Sequence, residues 1–193
     1  KSYLWGMKDS VHVFDIILDW NLLAAISQID RFDASWSSIE KREGQSLQQL
    51  KAIATVRSVG ASTRIEGSRM SDEEVDVLLR HLDISKLDDR DAQEVVGYFE
   101  VLDSIGESYA DIPVTEGSIK SLHNRLLKHS RKDDWHRGDY KQHSNAVEAT
   151  LPDGTKQVIF RTTPPGLPTQ EAVRSLINWY ERDQQTHPLV KCA

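Results

Sequence analysis

The chain has 193 residues, with 24 Lys and Arg against 30 Asp and Glu and a formal charge of −6. That length suits one domain, or one with a helical appendage, and 38% apolar residues can build a core. The charge lacks the basic footprint of a dedicated nucleic-acid binder, no run of about 20 apolar residues could cross a bilayer, and the single cysteine, Cys192, excludes internal disulfides and cysteine-rich metal sites.

The opening residues, Lys1 to Gly6, have no apolar stretch of the kind a signal peptide needs, so a soluble, cytoplasmic protein is expected. Leu18, Leu22, Ala25, Ile26 and Ile29 recur at helical spacing and predict one apolar helix face. A second helical segment is expected over about 45–65, with Leu47, Leu50, Ala54 and Ala61 on its inner face. Ser71, with Glu74 three residues on, reads as a capping box that opens a helix burying Val75, Leu78, Leu79 and Leu82. The next helix is expected to bury Val95, Val96, Phe99 and Leu102. Thr115 then caps one whose stripe is Ile119, Leu122, Leu126 and Leu127.

One segment breaks the helical rule. Val147, Ala149 and Leu151 alternate with polar residues, as do Val158 and Phe160, and Asp153-Gly154 lies between the two arms. Asp-Gly tolerates positive φ at both positions, so this predicts a hairpin over about 147–162. A lone hairpin is marginal in water, so it is expected to pack on helices with one edge free. The stretch Thr163 to Pro168 is expected to be neither helix nor central strand. A last helix starts at Thr169 and buries Val173, Leu176, Ile177 and Tyr180.

The common phosphate loops are absent, as are zinc spacings and the G-x-S-x-G elbow. His129, His136 and His143 straddle Arg137-Gly138-Asp139, which works against their stacking on one helix, and no metal is assigned to them. The basic run Lys128 to Lys132 reads as cations at a helix C-terminus.

The segment Ser62-Thr63-Arg64-Ile65-Glu66-Gly67 ends a helix, with Gly67 placed for the left-handed C′ position. Glu66 then faces the negative end of the helix dipole, and Arg64, two residues away, is a poor partner for it. Two readings stay open: a plain helix end, or a carboxylate waiting for a cation outside its helix.

The same six residues resemble the inhibitory-helix motif [ST]-x-x-x-E-[GN] of Fic proteins, which transfer AMP from ATP to protein hydroxyls. Further segments resemble that family in order: Asp91 to Tyr98, Leu122 to Leu127, His136 to Lys141 followed by Asn145, then Pro164-Pro165 and His187-Pro188-Leu189. The correspondence runs from about Leu47 to Ala193. Tyr3, Trp5 and Trp36 are similar, less specifically, to the region preceding the core in one subgroup.

The resemblance implies an all-α, Fic-like helical bundle with one β-hairpin flap. Residues 1–112 would form an N-terminal helical region with the inhibitory helix at about 45–67, and 113–193 the first part of the core. Its catalytic loop, H-P-F-x-[DE]-G-N-[GK]-R, is nowhere in these residues. Catalytic groups are therefore expected beyond Ala193, with Mg²⁺ held through that loop, and this chain alone is expected to be inactive. Glu66 would pair with the loop's final arginine and occupy the place of the ATP γ-phosphate, supported by Ser62 and Gly67. The flap residues Val147, Glu148, Ala149, Val158, Ile159 and Phe160 would dock a target protein by strand addition. ATP and a protein target are the implied partners, a homodimer is allowed, and membrane and nucleic acid are not expected. The alternative is a non-catalytic helical interaction module derived from the same family.

Overall fold

In the computed structural model, which describes residues 17, 19–83, 87 and 89–192, helices dominate and one antiparallel hairpin forms the sheet. Tyr3, Trp5 and Leu18 lie outside the described residues. The described chain divides into two units, residues 17–113 with 118–138, and residues 114–117 with 139–192.

In the first unit, α1 runs from Trp20 to Ile65, started by the Asp19 carboxylate accepting the Leu22 N–H at 2.7 Å. The two helical segments expected here are one element, bent where Glu43 leaves helical dihedrals (φ −111°, ψ 18°) beside Gly44. Its buried residues are Val59, Gly60 and Thr63. The expected inner face is therefore corrected, since Leu50 is 58% exposed and Ala54 and Ala61 are exposed too. The stripe that packs carries the smaller side chains, which let neighbouring backbones come close.

The capping box forms as expected at the start of α2 (Asp72–Arg80). Glu74 N–H donates to Ser71 Oγ at 3.2 Å, and Ser71 N–H donates to Glu74 Oε2 at 2.8 Å. Asp89 caps α3 (Arg90–Ser108) through the Ala92 N–H. Val59, Val75 and Val95 are fully buried together, with Leu78, Leu79, Phe99 and Leu102 packed around them. A Cβ on Gly97 would stand 2.0 Å from the Leu126 carbonyl oxygen, so α3 lies backbone to backbone against the end of α4 (Glu116–Leu126). Ile119, expected inside on α4, is 47% exposed.

In the second unit, β1 (Ala146–Thr150) pairs antiparallel with β2 (Lys156–Arg161). Val147 opposes Phe160 and Glu148 opposes Val158, which leaves Ile159 as the extra residue of a bulge. Neither strand has a buried residue, so the expected packing of one face is absent. The turn also differs. Every positive φ among the described residues belongs to glycine, so Asp153 does not take one, whereas Gly154 sits at +82°. Gly154 N–H donates to Leu151 O at 2.9 Å and Leu151 N–H to Thr155 O at 2.8 Å. Pro152-Asp153-Gly154 thus form a three-residue loop, with the proline ring fixing φ at its first position.

Helix α5 spans Leu167–Arg182 and starts two residues earlier than expected. Pro168 is tolerated in the first turn, where its missing N–H would have had no helical partner. Leu176 is 46% exposed, against expectation. The short α6 (Pro188–Cys192) brings Lys191 Nζ to the carbonyls of Tyr180 and Asp183 and over the Tyr180 ring, 4.6 Å from its centroid.

Candidate functional site

Glu66 closes α1 as its C-cap residue. Beyond it, Gly67 takes φ +104°, donating its N–H to Arg64 O at 3.1 Å, while Ser68 N–H reaches back to Thr63 O at 3.0 Å. This pair of bonds is the Schellman arrangement, and it fixes the Glu66 backbone where the helix stops. Thr63 is buried, with its hydroxyl donating to Val59 O at 2.9 Å.

Arg64 is held elsewhere. Its guanidinium donates to Met70 O at 2.9 Å and to Asp72 Oδ1 at 2.8 Å, occupying space that a Cβ on Gly60 would invade. That leaves the Glu66 carboxylate exposed and without an ion pair among the described residues.

Glu66 and Ser62, one turn apart, line a cavity of about 430 Å³ together with Arg90, Glu94, Tyr98 and Leu127. The three α3 residues follow at steps of four, so they share one helix stripe. Sequence reasoning missed them as site residues, although that spacing was the available signal. Arg90 Nε donates to Glu94 Oε1 at 2.7 Å, and this bond holds the guanidinium above its already high pKa. The only arginine among the described residues of this wall is therefore committed to its own helix. The lining is mostly apolar and carries two carboxylates, of which Glu94 is paired with Arg90, so Glu66 is the charge an incoming cationic side chain would meet.

In the other unit, Lys141, Asn145 and Thr162 knit the base of the hairpin. Lys141 Nζ donates to Asn145 Oδ1 at 2.8 Å and also reaches Thr162 Oγ1. The Thr162 hydroxyl donates to Asn145 O at 3.0 Å, and the Thr162 N–H to the same oxygen at 3.2 Å. Val147, Glu148, Val158, Ile159 and Phe160 are exposed and Ala149 is half-buried. Among the described residues, neither outer edge of the hairpin pairs with a third strand.

The histidines have separate duties. His129 Nε2 meets Glu100 Oε1 at 3.0 Å, and His136 lies 3.7 Å from Asp133. His123 Nδ1 accepts the Gly138 N–H at 3.0 Å, which assigns the neutral ring's proton to Nε2. Burial, reinforced by the nearby His136, lowers the His123 pKa, with Asp133 opposing. Among the described residues, no group of three or more His, Cys, Asp or Glu could hold a metal ion. No helix among them is long and apolar enough to cross a membrane.

No protein-family model matches the chain, and no curated protein sequence matches it significantly.

Proposed function

We propose that this chain forms the regulatory region of a Fic-type protein adenylyltransferase that transfers AMP from ATP to Ser, Thr or Tyr hydroxyls, restrained by Glu66. The observation that carries the reading is the Glu66 carboxylate on the cavity wall, without an ion pair among the described residues, at a helix end whose dipole disfavours negative charge. The arginine that ends the Fic catalytic loop is a cation of the missing kind. Paired with it, Glu66 holds negative charge where an ATP γ-phosphate would lie, and like charges there oppose productive binding.

In the reaction, a target hydroxyl oxygen bonds to the α-phosphorus, pyrophosphate leaves, and the hydroxyl proton passes to a base. None of those groups is assigned to residues of this chain. The hairpin supports the reading in a second way, because its outer edges, which pair with no third strand among the described residues, can accept an extended target segment as an added strand.

The test is labelled-ATP transfer by the intact protein with Glu66→Gly and Glu66→Gln. Glycine placed beside Gly67 loosens the helix end, whereas glutamine keeps the side-chain shape and removes only the charge. Both variants are expected to raise AMP transfer about tenfold or more, equivalent to ~1.4 kcal/mol of barrier. Unchanged rates remove Glu66 from control. The exposed apolar residues of α1, Phe32 at 57% and Ile29 at 50%, favour the second reading, a non-catalytic interaction module. An intact protein that transfers no AMP with either variant supports that one.

A further inference from the structure

Before its bend, α1 repeats apolar residues at alternating steps of three and four: Leu22, Ala25, Ile29, Phe32, Trp36 and Ile39. Each pair of steps spans seven residues, the heptad of two helices wound around each other. The pattern stops at Glu43, the position where the helix also leaves regular dihedrals. No residue of this half is buried: Leu22 and Trp36 are each 37% exposed, Ile29 50% and Phe32 57%.

We propose that this half-helix is a self-association surface, pairing antiparallel with the same stretch of a second copy of the chain. Side-chain volume selects the antiparallel partner. Laid head to tail, Leu22 meets Ile39 of the second copy, Ala25 meets Trp36, and Ile29 meets Phe32. The twofold axis then repeats the three layers. Each layer joins a larger side chain to a smaller or similar one, and the smallest faces the largest. A parallel, in-register pair would instead stack Trp36 on Trp36 and leave a gap between two Ala25, overpacking one layer and opening a void in another.

The two flanks differ. Along one of them Gln28 faces Ser35 and Asn21 faces Arg42, so no like charges oppose there, whereas along the other Ile26 faces Asp33 and Asp19 faces Glu40, a like-charge contact at each end that weakens the pair. Given 150–250 Å² for each aromatic side chain, the exposed fractions leave about 500 Å² on each stripe. Two copies then remove at most about 1,000 Å² from water, the low end for a specific interface, where weak and transient associations lie. This surface is independent of Glu66, so it stands or falls apart from the enzymatic reading.

The experiment is sedimentation equilibrium of the 193-residue chain across the micromolar range, with Cys192 replaced by Ser. The chain is expected to dimerise, with Phe32→Glu raising the dissociation constant tenfold or more. Leu23→Glu, at 42% exposure but off the stripe, is expected to leave it unchanged. Orientation is read by short bismaleimide cross-linking of Gln28→Cys and Ser35→Cys chains, where the mixture should link more than either alone. A monomer at every concentration overturns the proposal and gives the stripe to residues 1–16 or to another protein. So does a dimer insensitive to Phe32→Glu, or a mixture that links no better than its components.

Discussion

Around Val59, Val75 and Val95 three helices exclude water from apolar side chains, whereas the hairpin of β1 and β2 buries none of its own. Order in the hairpin comes instead from polar groups: the Lys141–Asn145–Thr162 cluster at its base, and the Asp153 carboxylate accepting the Thr155 N–H at its tip. Thr155 holds that carboxyl below its ordinary pKa. Hydrogen bonds exchanged with water contribute about 1 kcal/mol each, while a buried aliphatic side chain contributes about twice that. The helical core is therefore expected to set global stability, with the hairpin opening at lower cost than the whole fold.

The sharpest way to break this contrast is at Gly97. Gly97→Ala forces a methyl group into a backbone oxygen that cannot swing aside, and is expected to destabilise the core by about 3 kcal/mol or more. Urea unfolding followed by far-UV circular dichroism measures it, and a loss below 1 kcal/mol would mean that α3 and α4 are not in backbone contact. Next in size is Asn145→Ala, which removes the acceptor shared by Lys141. Amide exchange in 146–161 should quicken by about tenfold, near 1.4 kcal/mol, while the urea midpoint stays put. A shifted midpoint would show that the hairpin belongs to the cooperative unit.

The smallest effect is a titration. Because the His123 pKa in the fold lies below its ordinary 6.5, the unfolded chain binds the extra proton first. Its contribution is present in full above 6.5 and fades as the pH falls through the lowered folded value. Charging Nδ1 also ends its role as acceptor for Gly138. His123→Gln should flatten the stability profile between pH 7 and 5, and an unchanged slope would assign the proton uptake to another group.

Short-range features were legible in the sequence. The Ser71 capping box and the glycine stop at Gly67 depend on residues within one or two turns, and they formed as read. The inner face of α1 was not legible. Leu47, Leu50, Ala54 and Ala61 fit helical spacing as well as Val56, Val59, Gly60 and Thr63 do, and periodicity cannot say which stripe meets a partner. That choice depends on the close approach of other helices, a tertiary fact that Gly60 and Gly97 only hint at. The hairpin was recognised from Asp153-Gly154, but the preceding proline turned a two-residue turn into a three-residue one. At the site, Glu66 and Ser62 stood out as a motif, whereas Arg90, Glu94 and Tyr98 join them through folding alone.

Lys191 has a consequence of another sort. Its ammonium replaces solvent at the carboxyl end of α5, gathering two carbonyl oxygens and an aromatic face. An acetyl group on that amine would discharge it and strip the final turn of its cap. A single acyl transfer to one side chain of α6 would thereby fray the last turn of a helix that begins more than twenty residues upstream.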